Sequence, residues 1–247
     1  MNRLLALLLA FLSLSTAFAA DLRVLSAGAV EPGLRAFAEA TRRDTGHALS
    51  IQFNTAPQIA KRLEAGEAFD ILIAPPAVLT QAEKDARVAP GTRVAVGRVG
   101  AGVIVRSTAD APDVATVDAL QRALLAADSI VYNTASTGLY LDRLFEKLGI
   151  LDTIKPKTTR YPDGASVMEH VIRGSGREIG FGAITEIRMY EPKGLRLVGP
   201  LPADVQNYTA YDAALMSAAQ QPDAAREVLK HIASPAGKTA FASGGVD

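Results

Sequence analysis

Four short stretches of this chain carry residue types that could hold a ligand. They are Ser26-Ala27-Gly28-Ala29-Val30, Asn54-Thr55-Ala56-Pro57, Asn133-Thr134-Ala135-Ser136-Thr137-Gly138 and Asp163-Gly164-Ala165-Ser166. In each, an apolar run stops and a helix-like pattern starts. The first N–H groups of a helix have no partner inside it, and the helix dipole favours negative charge beside them. Small side chains let a ligand reach that backbone. The chemistry on offer is recognition of a small anion by main-chain amides at Gly28, Ala29, Thr55, Ala56, Thr137, Gly138, Gly164 and Ala165. The side chains of Asn54 and Thr137 would assist, and Ser136 joins the same candidate set. Each junction also has a plainer explanation. Thr55-x-x-Gln58 is a capping box, and Asp163 can cap a helix starting near Ala165. Convergence of all four in one cleft would separate a binding site from ordinary capping.

Other chemistries find little support. The chain has no cysteine, so thiol nucleophiles, thiolate metal sites and a disulfide framework are excluded. His47, His170 and His231 lie far apart and without ligand spacing, so each reads as a solvated or capping residue. No G-x-S-x-G elbow, Walker loop or G-x-G-x-x-G is present, and no metal or cofactor is expected. Gly174-Ser175-Gly176 reads as a turn before a strand. Tyr132, Tyr140, Tyr161, Tyr208 and Tyr211 read as core or hinge residues, with room for one or two to line a cleft. Arg98 falls near a proposed hinge and reads as a surface residue. Lys+Arg and Asp+Glu both number 26 and form no basic run, which argues against nucleic-acid partners.

Strands that end together and helices that begin there must position such junctions. Residues 22–26 read as a strand, followed by a helix over 32–45 closed by Gly46. A strand at 49–53 and a helix at 57–65 follow, stopped by Gly66. Residues 70–74 are apolar after Asp70, as in a strand covered on both faces, and Pro75-Pro76 opens another helix. Residues 93–106 form a long β-rich run with three glycines, a candidate crossover. A second series has helices near 116–127, 137–148 and 165–172 and strands at 129–132, 157–161 and 179–182. Gly199-Pro200-Leu201-Pro202 reads as a rigid turn, 207–216 as a return strand, and two helices over 223–233 and 236–242 finish the chain. Alternation of this kind implies parallel βαβ units. The expected division is 21–97 for one lobe, 98–204 for a second and 205–247 for the return to the first.

The first twenty residues differ from the rest. Arg3 supplies a positive start, residues 4–14 an apolar core, and Ala17-Phe18-Ala19 a small-x-small cleavage site. That is the pattern of a secretory signal over 1–20. Its apolar core is shorter than the ~20 residues of a spanning helix. A periplasmic protein is expected, with no membrane insertion after cleavage. At 49% hydrophobic and 21% charged, the mature chain can bury a substantial core.

The stretches VLSAGAVEPGL, FNTAPQIAKRLEAGEAFDILIAPP, STGLYLDRLFEKLGI and LVGPLPADVQNYTAYDAALM occur in an order and spacing that resemble periplasmic solute-binding proteins of the molybdate-binding type (type II). The resemblance implies an α/β fold of two lobes, each a mixed sheet flanked by helices, joined by two hinge strands. It also implies capture of a small anion by a monomer that presents it to an ABC permease. Thr137 and Gly164 match positions that donate backbone N–H groups. The sequence departs from the family where molybdate binders carry serines, here Ala29 and the Ala56-Pro57 pair, and near Ala183, where they carry a tyrosine. Each lost charge-assisted hydrogen bond costs roughly 1.5–3 kcal/mol, so an organic carboxylate is expected rather than molybdate. A branch resembling these proteins includes aconitate isomerase, which implies an alternative: cofactor-independent proton movement between cis- and trans-aconitate. Glu31, Asp163, His170 and Glu186 are the candidate bases, none of them singled out.

Overall fold

The structure, a computed structural model, describes residues 19–247, so the signal expected over 1–20 lies outside the described residues except for Ala19 and Ala20. The strands are β1 (Asp21–Ala27), β2 (Ala48–Asn54), β3 (Ile71–Ala74), β4 (Val94–Arg106), β5 (Ser129–Asn133), β6 (Thr158–Tyr161), β7 (Glu178–Ala183), β8 (Leu195–Pro200) and β9 (Tyr208–Leu215). The helices are α1 (Glu31–Thr45), α2 (Ala56–Glu64), α3 (Pro76–Lys84), α4 (Val117–Ala126), α5 (Ser136–Lys147), α6 (Leu151–Ile154), α7 (Gly164–Arg173), α8 (Ile184–Tyr190), α9 (Pro222–Ala233) and α10 (Pro235–Ser243). None of these helices is long and apolar enough to cross a membrane.

The strands run in the order β2-β1-β3-β9-β4-β7-β5-β6, with β8 paired to β4. β2, β1 and β3 are parallel, as are β6, β5 and β7, and antiparallel β9 and β4 join the two groups. Parallel groups need helical crossovers that cover both faces, which is why the buried run of β3 is wholly apolar. β4 is long because it serves both groups. Residues 94–100 pair with β9, and residues 101–106 pair with β7 and β8.

One core gathers Leu22, Leu25, Leu72, Phe37 and Phe241 around β1 and β3. A second packs Tyr132, Phe145 and Phe181, the first two rings edge-on at 5.8 Å. A third lies under α7 and α8, around Val167, Met168 and Ile187. This is the two-lobed mixed α/β architecture anticipated above.

Three elements were not anticipated: α6, α8 and β8. The segment 199–202 is not simply a turn, because Gly199 and Pro200 end β8, which pairs only with β4. Proline is tolerated at the end of such an edge strand, where its missing N–H disrupts no second ladder. At seven residues, α8 is too short to display a helical period.

Candidate functional site

β1, β2, β5 and β7 end at Ala27, Asn54, Asn133 and Ala183, and all four residues line one cavity of about 330 Å³. In open α/β sheets the carboxyl ends of strands are where ligands gather. The helices that follow begin at the cavity wall. Nine of the ten candidate residues line it: Gly28, Ala29, Asn54, Thr55, Ala56, Ser136, Thr137, Gly164 and Ala165.

Gly138 does not line the cavity, and its N–H is donated to Asn133 Oδ1 at 3.2 Å. The glycine is needed for another reason. A Cβ there would lie 1.6 Å from the Asn133 carbonyl oxygen, so only glycine lets α5 begin this close to the end of β5.

The helix starts share a pattern. In α5, Asn133 Oδ1 accepts from Ala135 N–H at 3.0 Å and from Gly138 N–H, leaving Ser136 and Thr137 without an intrahelical partner. In α7, Asp163 Oδ1 accepts from Ser166 N–H at 2.8 Å, leaving Gly164 and Ala165. In α2 one half of a capping box is well formed, with Gln58 Oε1 accepting from Thr55 N–H at 2.8 Å. Pro57 has no N–H, so Ala56 supplies the donor of that first turn that lies at the cavity. The Thr55 hydroxyl faces the helix without a well-formed hydrogen bond and is buried with no partner among the described residues. Arg62 donates to Asn54 Oδ1 at 2.7 Å, which fixes that amide and leaves its NH₂ as a donor at the cavity.

The ionisable carboxyls of the lining are Glu31, Asp163 and Glu186; no Lys, Arg or His joins them among the described residues. Glu31 is paired with Arg35 at 2.7 Å, and Asp163 is engaged as the cap of α7. Glu186, on α8, has neither kind of partner among the described residues. Burial, then the charges of Glu31 and Asp163, push its carboxyl up to about 7. A Cβ added at Gly28 would lie 2.9 Å from Glu186 Oε1, and one at Gly164 2.6 Å from Oε2. One carboxylate thus stands between two helix-start junctions. Tyr211 also faces the cavity, its hydroxyl pKa raised by burial and by the Glu186 charge.

Of the four candidate bases, His170 is elsewhere, its Nδ1 3.0 Å from the Tyr161 hydroxyl. The other histidines are partnered rather than solvated. His47 is buried and accepts from Ala20 N–H at 3.2 Å, and His231 lies 3.1 Å from the Thr41 hydroxyl. Arg98 is not at the cavity, and its guanidinium sits 4.5 Å above the Tyr208 ring. Among the described residues no cluster of three or more His, Cys, Asp or Glu could hold a metal ion.

α8 also ties the two halves of the wall together: the Thr185 hydroxyl, fully buried, donates to the Ala29 carbonyl.

Comparison with known proteins follows the same lines. The family model described as bacterial extracellular solute-binding protein matches residues 22–247. The chain is 30% identical to an aconitate isomerase from a Pseudomonas species over 219 residues, covering 86% of this chain and 82% of that protein. The periplasmic molybdate-binding protein of Azotobacter vinelandii has the same fold, with a TM-score of 0.75 at 16% identity, over 92% of this chain and 98% of that one. PEB3 bound to L-phospholactate superposes with a TM-score of 0.69 at 14% identity, over 91% and 98% of the two chains.

Proposed function

This chain belongs to the bacterial extracellular solute-binding protein family, and we propose that within it the protein captures a small organic carboxylate in the periplasm for an ABC importer. The observation that carries this reading is the meeting of three helix starts and the Gly28 turn at one cavity, with first-turn amides left over on each helix. Amides at Gly28, Ala29, Ala56, Thr137, Gly164 and Ala165, with Asn54, Thr55 and Ser136, would hold the ligand. Alanine at 29 and 56, where the resemblance implies serine, favours a carboxylate over a compact oxyanion. The lobe division at 97/98 and 204/205 is part of this reading. It is supported by the change of partners of β4 after Gly100 and by the return of the chain through β9.

A thermal-shift panel of molybdate, tungstate, sulfate, citrate and the two aconitates tests the proposal. A carboxylate should raise the melting temperature more than the oxyanions do. If nothing in the panel shifts it at millimolar concentration, the binding reading is wrong.

A second reading, isomerisation of aconitate, is favoured by the 30% identity to an enzyme of that activity. Following conversion of trans- to cis-aconitate by the purified protein tests it, and absence of turnover removes it.

A further inference from the structure

The lining poses a physical problem for any anion: its charged groups are acidic. Glu31 is paired with Arg35, and Asp163 accepts from Ser166 N–H. Glu186 alone remains, between the Gly28 and Gly164 junctions where a ligand would meet the helix amides. As a carboxylate it would repel the ligand at close range with no cation between them. As the neutral acid it would offer an O–H donor at the same place.

Resting on the carboxylate-capture reading, we propose that Glu186 enters the bound complex as the neutral acid and donates its proton in a hydrogen bond to a ligand carboxylate, so that each ligand is captured together with one proton. No bond to carbon is made or broken. The proton comes from solvent when Glu186 is ionised in the free protein, and returns there on release.

The groups around Glu186 favour the neutral form. Glu31 faces it from α1, Asp163 from the start of α7 and Tyr211 from β9. α8 meets β4 and β8 through Ile184 and Ile187, packed around Gly102 and Leu197. Beyond the helix, Glu191 turns to Leu197 N–H and Lys193 to the Tyr190 ring. Among the described residues no facing group is a cation, and burial acts in the same direction as the neighbouring charges. With the carboxyl titrating at about 7 in the free protein, proton uptake should be small at pH 6 and approach one proton per ligand at pH 8.5.

The experiment is calorimetric titration with tricarballylate, a saturated tricarboxylate that cannot be isomerised. It is run at several pH values in buffers of different ionisation enthalpy, on the wild type and on Glu186→Gln. The wild type should take up close to one proton at pH 8.5, with affinity falling about tenfold per pH unit above 7. Glu186→Gln carries a permanent neutral donor, so its affinity should be flat over that range with no uptake through this group. Binding without proton uptake, or an unchanged pH slope in the variant, overturns the proposal and leaves carboxylate capture standing. Failure of the wild type to bind tricarballylate, citrate or either aconitate at any pH overturns both.

Discussion

Asn133 and Glu186 divide the labour at the wall of the cavity: the side-chain oxygen of one holds backbone, while the carboxyl of the other has no partner among the described residues. Removing Asn133 leaves two buried N–H groups, of Ala135 and Gly138, without an acceptor. Asn133→Ala should therefore lose about 1–3 kcal/mol in urea unfolding, whereas Asn133→Asp, which keeps the acceptor, should lose less. Glu186 has the opposite sign. Its folded-state pKa, at about 7, lies above the ordinary 4.5, so the neutral acid is the form the fold prefers. The stability it contributes is complete below pH 4.5 and is lost as pH rises through 7. Unliganded Glu186→Gln should accordingly gain on the wild type between pH 5 and 8, by about 2 kcal/mol once partial exposure to the cavity is allowed for, read as diverging melting temperatures. Parallel curves would show that Glu186 ionises as freely as it does in water.

At the scale of elements, the close approach of β5 and α5 and the tie made by α8 are the sensitive points. Gly138→Ala would drive a Cβ into the Asn133 carbonyl, so α5 must shift. The expected cost is about 1–3 kcal/mol, with weaker ligand binding because the Ser136 and Thr137 amides move too. Thr185→Val keeps the shape but strands the Ala29 carbonyl. It should cost about 1 kcal/mol and several-fold in ligand affinity, measured by thermal unfolding and calorimetry. The strand–helix alternation and the junctions themselves were legible in the sequence because long apolar runs, caps and prolines mark them. The Thr55 to Gln58 spacing and the glycine after α1 fall where the structure uses them. α8 was not legible, since seven residues leave no periodic trace. Glu186 therefore stood in the sequence as one acidic residue among several. Only the fold brings it between Gly28 and Gly164, and no sequence pattern links either glycine to it. Gly138 misled for a related reason: its type suits an anion cradle, while its actual task is steric.

Across the whole molecule, the cavity lies between two packed regions connected through β4 and β9. A ligand that bridges amides from both sides binds best when the two regions are together, so it shifts the population toward the closed arrangement. Small-angle scattering should report a smaller radius of gyration with saturating ligand, and Thr185→Val should enlarge the difference between the free and bound forms. Identical scattering with and without ligand would indicate that binding needs no closure.

The donors at the helix starts belong to the main chain, and that has a consequence for how the protein can be interrogated and how it can change. Side-chain truncation leaves an amide untouched, and several of these positions are already glycine or alanine. A conventional alanine scan would read almost silent over the residues proposed to hold the ligand. Amide-to-ester replacement at Ala56, Thr137 or Ala165 would delete one donor at a time and make the map visible. On the proposed reading, a change of ligand would need only a few altered side chains at the rim, since the amides do not depend on side-chain identity.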